Sequence, residues 1–236
     1  MVDREADHRV DLIVRGELVG LGPVRRDLAA LYQRWFNDLR VTRTLAWSYR
    51  PLSREAAESF LDAAFPLAGT DVSFVVYELT TLKPIGGVSL NNVDRAHGTA
   101  DFALVIGEPD AWGKGFGTEA TRLTLAYAFD VLGLYNVHLV VYANNQRGVR
   151  AYERAGFRRI GVRRGAHRLG RERFDEVHMD AIADEFPPSD LHALLHPTDE
   201  PPDAAEPEER PRSETRARAW PSTAHVHSSN TDETST

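Results

Sequence analysis

Trp112-Gly113-Lys114-Gly115-Phe116-Gly117-Thr118-Glu119-Ala120 is the stretch from which the rest of the chain can be read. Before it, Ala100 to Ile106 reads as a strand; after it, Ala120 to Leu132, rich in Ala, Leu and aromatic residues, reads as a helix running from Gly115. A glycine-dense turn therefore sits at a strand-to-helix junction. Helix N-termini offer unpaired N–H groups and roughly half a positive charge, which together attract phosphate. Glycines at 113, 115 and 117 allow positive φ and a close approach of backbone to ligand, so the turn is expected to cradle a phosphate. The nucleotide-triphosphatase loop needs Gly-Lys followed by Ser or Thr, but Gly115 follows Lys114 here. The dinucleotide fingerprint needs a wider last glycine interval and an opening βαβ unit, and this turn lies mid-chain after several strands.

A second segment, Asn145-Gln146-Arg147-Gly148-Val149-Arg150-Ala151-Tyr152-Glu153-Arg154-Ala155-Gly156-Phe157, follows at a fixed distance. The two together resemble the signatures of the GCN5-related N-acetyltransferases, in particular the branch of ribosomal-protein and small-amine acetyltransferases. Gly115 and Gly117 match the acyl-CoA pyrophosphate loop; Trp112 stands where Gln or Arg is commonest. The similarity covers about residues 10 to 186, loosely in the N-terminal third. It implies a mixed, mainly antiparallel α/β fold of six to seven strands and about four helices, with a splayed central strand pair for acetyl-CoA. The pantetheine arm would lie along Leu104, Val105 and Ile106, and the diphosphate on Trp112, Gly113, Lys114, Gly115, Phe116, Gly117 and Thr118. Arg147 and Arg150 could reach phosphate. Asn145 matches the family's Asn, expected on the pantetheine, but is equally suited to capping the next helix.

The same resemblance implies direct transfer from thioester to amine, with a backbone N–H near residues 104–106 meeting the developing oxyanion. Tyr152 stands at the position of the tyrosine that protonates the departing thiolate; packing against Phe157 is its alternative role. Two carboxylates compete as the base, Asp101 on the strand before the loop and Glu108 just past it. Glu119, in the first helical turn, reads as compensation for the helix dipole. The first two helices and a final hairpin would wall the acceptor, which directs attention to Trp35, Asn37, Asp38, Trp47 and Tyr49, whose aromatics are as readily core.

Composition narrows the remaining classes. No apolar stretch reaches the eighteen or so residues that span a bilayer, and Met1 to Arg9 is charged with no apolar run behind it, so a cytoplasmic protein without membrane partners is expected. Zero cysteines exclude disulfides, thiolate metal sites and a Cys nucleophile, and the histidines of the C-terminal region are scattered, so no metal is expected. The sequence pI near 5.7 and the lack of a basic-aromatic platform argue against nucleic acid. From Pro187 onward ten acids face four arginines and eight of the 13 prolines gather, while the first 186 residues carry a net charge of only −1. Residues 187–236 are therefore expected to form a disordered acidic tail, with a short helix at Ser189 to Leu195 that could dock.

Periodicity supplies the other elements. Val10 to Arg15 and Glu17 to Leu21 suit two short strands or a hairpin. Leu28, Leu31, Tyr32, Trp35 and Phe36 repeat at helical spacing with Asp27 near the cap, and Ser53 can cap a second helix whose Ala57, Phe60 and Leu61 share a face. Strands at Val72 to Glu78, Pro84 to Leu90 and Gly98 to Ile106 read as an antiparallel meander; strands at Val137 to Ala143, Phe157 to Arg163 and Phe174 to Ala181 alternate with helices. Arg163 to Arg173 is expected as a basic hairpin. The function expected is acyl transfer, most simply of acetyl from acetyl-CoA to a primary amine of a small molecule or a protein N-terminus, by a monomer or homodimer. A non-catalytic acyl-CoA sensor and an enzyme using another thioester remain open alternatives.

Overall fold

The computed structural model describes residues 10–45, 50–63 and 69–197. Trp47 and Tyr49 lie outside them, as does the acidic tail from residue 198 onward. Among the described residues eight strands form one sheet: β1 (Val14–Arg15), β2 (Val19–Gly22), β3 (Val72–Glu78), β4 (Lys83–Asp94), β5 (Thr99–Ile106), β6 (Asn136–Tyr142), β7 (Arg158–Leu169) and β8 (Glu172–Ile182). Their order across the sheet is β1-β2-β3-β4-β5-β6-β8-β7, antiparallel throughout except for β5 beside β6. The count exceeds six to seven because the N-terminal hairpin contributes both of its strands. Six α-helices accompany them among the described residues: α1 (Ala29–Asn37), α2 (Leu39–Thr42), α3 (Arg54–Ala63), α4 (Phe116–Ala126), α5 (Gln146–Ala155) and α6 (Asp190–Leu195).

Alternation along the strands assigns the two faces. Phe102, Leu104 and Ile106 of β5 join Val137, Leu139 and Val141 of β6 and Val177, Met179 and Ala181 of β8 in one large core that includes Phe116, Ala120 and Leu125 of α4 and Val149 and Tyr152 of α5. Val105, on the opposite face, packs into a second core with Tyr32, Trp35 and Phe36 of α1 and Ala57 and Leu61 of α3. Local signals fix the helix ends. Ser53 Oγ accepts from the Ala56 N–H at 3.1 Å, and Asn145 Oδ1 accepts from the Gly148 N–H at 3.0 Å. Asp27 does not cap: it pairs with Arg25, the chain enters through a 3-10 turn over Arg26–Leu28, and α1 starts with no side-chain cap. The helix after the glycine turn is also shorter than expected, giving way to a π turn over Tyr127–Val131.

Two further contacts tie the periphery down. Glu119 accepts from the N–H groups of Glu17, Leu18 and Val19 at 2.9, 2.8 and 2.7 Å, so it clamps the β1–β2 hairpin onto the start of α4 in addition to facing the helix dipole. Beyond residue 186, Ser189 hydrogen-bonds Asp130 and caps α6, whose Leu191 packs on the large core. The expected basic hairpin is mostly strand, since β7 and β8 run on to Leu169 and Glu172.

Candidate active site

The decisive geometry is an interruption of pairing. β5 and β6 are hydrogen-bonded only from Thr99–Asn136 to Asp101–His138; beyond that point β5 follows β4 to Ile106, while β6 follows β8 to Tyr142. The two central strands thus diverge, leaving one edge of Phe102 to Ile106 without a strand neighbour. A cleft of about 250 Å³ occupies this region and is lined by Leu104, Val105, Ile106, Trp112, Gly113, Gly115, Phe116, Gly117, Thr118, Asn145, Arg147, Arg150 and Tyr152. Of the residues expected to hold the donor, Lys114 alone is not part of this lining.

The turn has the features of an anion cradle. Gly113 and Gly115 adopt φ of +77° and +88°, left-handed values that cost a side-chain-bearing residue strain. Gly117 differs from the expectation, because it already belongs to the first turn of α4. The first intrahelical bond runs from the Glu119 N–H to the Gly115 carbonyl at 3.0 Å, so the N–H groups of Phe116, Gly117 and Thr118 have no partner within the helix. Three arginines, Arg147, Arg150 and Arg154, line the cleft, and among its described lining residues there is no carboxylate. They recur at i, i+3 and i+7 on α5, one face of the helix, a spacing that adds Arg154 to the two arginines expected from the sequence. Burial, with the nearby Arg43, depresses the Arg147 guanidinium below its usual value, as expected of a cation with no counter-charge at hand. Arg147 stacks over Trp112 at 3.9 Å, and Trp112 Nε1 donates to the Ile106 carbonyl at 2.8 Å, latching the turn to the end of β5.

Tyr152 is 9% exposed and packs edge-on against Phe102. Burial pushes its phenol up to about 12, opposed by the positive charge of Arg147. Its side chain forms no hydrogen bond among the described residues. The two carboxylates stand elsewhere. Glu108 accepts from Trp35 Nε1 at 2.8 Å and pairs with Arg34. Asp101 sits where β5 and β6 part; its Oδ2 accepts from Asn92 Nδ2 at 2.9 Å and its Oδ1 lies 3.2 Å from His138 Nδ1. His138 Nε2 in turn lies 3.2 Å from His178 Nδ1. Neither Asp101 nor Glu108 lines the cleft, and the two histidines, brought together from β6 and β8, carry no local sequence signal.

A second cavity, of about 630 Å³, adjoins the first on the α1–α3 side and shares Leu45, Leu104 and Val105 with it. Tyr32, Phe36 and Phe60 form one wall and Gly87, Ser89, Asn91 and Ala103 another. The acceptor wall expected from Trp35, Asn37 and Asp38 is not there. Trp35 is core and bonds Glu108, Asn37 ties α1 to Leu52 through bonds of 2.9 and 2.8 Å, and Asp38 caps α2. Among the described residues no cluster of three His, Asp or Glu is placed to hold a metal ion, and no helix is long and apolar enough to cross a membrane.

A family model described as acetyltransferase (GNAT) domain matches residues 19–158. The chain belongs to the GNAT acetyltransferase family. Among curated GNAT relatives, spermidine N(1)-acetyltransferase of Escherichia coli strain K12 is 36% identical over 72 residues, which cover 30% of this chain and 38% of that protein. The chain thus spans less than two fifths of the length of the spermidine enzyme it matches. An uncharacterized N-acetyltransferase, p20, of Bacillus licheniformis is 26% identical over 159 residues, covering 66% and 86% of the two chains. The crystal structure of Vibrio cholerae spermidine N-acetyltransferase in complex with CoA and spermine shares the GNAT fold with a TM-score of 0.66 at 22% identity, over 72% of this chain and 99% of that one.

Proposed function

We propose that this protein is an acetyl-CoA-dependent N-acetyltransferase that acetylates a primary amine of a small molecule by direct attack on the thioester. The observation that carries this reading is the junction of two unlike cavities at Leu104 and Val105: among their described lining residues, one has arginines and free backbone amides and no carboxylate, the other aromatic and small polar side chains with Asp71 and no cation. The first fits the phosphates of coenzyme A and the second an amine. A mere acyl-CoA sensor would have no use for the second cavity.

In the proposed mechanism, amides from Gly113 to Thr118 with Arg147, Arg150 and Arg154 hold the diphosphate, and the unpaired edge of β5 takes the pantetheine arm. The amine enters from the second cavity, loses a proton and attacks the carbonyl carbon. A C–N bond forms, the C–S bond breaks, and the Tyr152 hydroxyl donates to the departing sulfur. The amine's proton is assigned to solvent water: Asp101, held by His138, stands level with Asn91, four residues or about 13 Å along β5 from Val105, and is not assigned as its acceptor, while Glu108, already paired with Arg34 and Trp35, is assigned as a strut between α1 and β5.

Calorimetric titration of coenzyme A, followed by thiol release with acetyl-CoA and an amine panel, tests this function. Gly115→Glu should weaken coenzyme A binding at least a hundredfold, since it combines backbone strain with a negative charge in an anion site. Absence of heat with the unaltered protein, or unaltered affinity in Gly115→Glu, would overturn it.

A further inference from the structure

The second cavity has an unusual distribution of polarity. Asp71 is the sole charged group among its described lining residues. At the end next to the donor cleft the Tyr32 hydroxyl lies over Gly87, so close that a Cβ there would stand 2.7 Å from it. Gly87 pairs with Val105, one of the residues shared by both cavities. Burial holds the Tyr32 phenol well above its ordinary value, so it stays a neutral donor and acceptor. At the other end Asp71, which accepts from the Val93 N–H at 3.4 Å, adjoins Asn91. Gly87 and Asn91 are four residues apart on β4, a separation of about 13 Å at roughly 3.3 Å per residue. Tyr32, Phe36 and Phe60 pack on one another and line the same cavity.

We infer that the acceptor is an elongated amine with an apolar middle and one distal cationic group, which Asp71 and Asn91 hold while the reacting amine lies at Tyr32 and Val105: a diamine with a hydrocarbon spacer. This inference rests on the acetyltransferase reading of the site and adds the substrate class to it. It also separates this chain from relatives named for spermidine, a triamine. A secondary ammonium half-way along would exchange part of its hydration for aromatic and apolar side chains, with no carboxylate beside it among the described lining residues. Aromatic faces attract cations, but more weakly than water hydrates an unpaired one. An amine with no distal charge would leave Asp71 unused.

The test compares three ligands of matched length: spermidine, 1,8-diaminooctane, in which a methylene replaces the inner nitrogen, and octylamine, which lacks the distal amine. Binding to the protein saturated with coenzyme A is measured by calorimetry, and acetylation by thiol release. The diamine should bind and react at least tenfold better than spermidine and about fivefold better than octylamine, the latter margin being that of one partly exposed ion pair. Asp71→Asn keeps the acceptor for Val93 and should bring the ratio of diamine to octylamine close to one. Preference for spermidine, a diamine no better than octylamine, or an unaltered ratio in Asp71→Asn overturns the inference. Diamine binding without turnover would refute the acetyltransferase reading and leave the ligand class standing. Coenzyme A binding with no diamine binding would refute the ligand class alone.

Discussion

Replacing Tyr152 by Phe removes one oxygen from the wall of the donor cleft and leaves the ring against Phe102 and Phe157. Its phenol, pushed by burial up to about 12, is a much weaker acid than a thiol of pKa about 8.5. Complete proton transfer from one to the other is therefore uphill by about 5 kcal/mol at ~1.36 kcal/mol per tenfold. Tyr152 is better suited to donating a hydrogen bond into the charge developing on sulfur than to surrendering its proton outright. One such donor is worth roughly a hundredfold to a thousandfold in kcat, about 3 to 4 kcal/mol, which lies within the broad range of general acids. Folding should not suffer, because the hydroxyl makes no hydrogen bond among the described residues; Tm is expected to stay the same or rise. The assay is thiol release at saturating acetyl-CoA and amine, with coenzyme A affinity measured separately. A kcat within threefold of the unaltered enzyme at equal donor affinity would remove Tyr152 from the chemistry, and a fall in both Tm and affinity would make it a packing residue.

Three other outcomes are expected. Arg147→Ala should weaken coenzyme A binding about tenfold to a hundredfold, the value of one charge-assisted hydrogen bond, with a flatter salt dependence in titrations at two ionic strengths and little change in Tm, since relief of the like charge on Arg43 offsets the lost stacking on Trp112. Glu119→Ala strands three N–H groups of the hairpin, two of them water-accessible, and should cost about 2 kcal/mol; at about 2–4 °C per kcal/mol this is a drop of roughly 4–8 °C in a thermal melt. In strong alkali the buried phenols of Tyr32 and Tyr152 resist ionisation in the folded state while the unfolded chain ionises near pH 10. Their contribution to stability is complete below about pH 10 and is lost as pH rises toward 12, by up to about 1.4 kcal/mol per pH unit for each; Tyr152→Phe should flatten the decline of Tm measured between pH 9 and 11.5.

Where the determinants of structure are local, the sequence displayed them. α5 runs from Gln146 to Ala155 because Asn145, expected as a cap, precedes it and Gly156, at φ +119°, ends it. β3 occupies the expected Val72–Glu78, an apolar run bounded by turn residues. The charged β7, exposed along most of its length, hides the period of two that would mark a strand, so the sequence suggests an end at Arg163 where the strand runs on to Leu169. α2 has four residues, too few to show a helical period. Trp35 could be recognised as one of an apolar stripe, but that its neighbour Tyr32 would overlook Gly87 while Trp35 turned into the core depends on how α1 rotates against the sheet. The approach of His138 and His178 to Asp101, and the meeting of two cavities at β5, join residues from separate strands and leave no trace in any local window.

The chain order of the two cavities has an evolutionary consequence. Apart from Val41, Thr44 and Leu45, everything described around the donor cleft comes from residues 104–154, and everything described around its neighbour from residues 24–105. β5 is the hinge of this division. On the proposed roles of the two cavities, exchange of the N-terminal half between paralogues would graft a new amine preference onto an inherited donor grip in one recombination event, with the crossover falling inside a single strand.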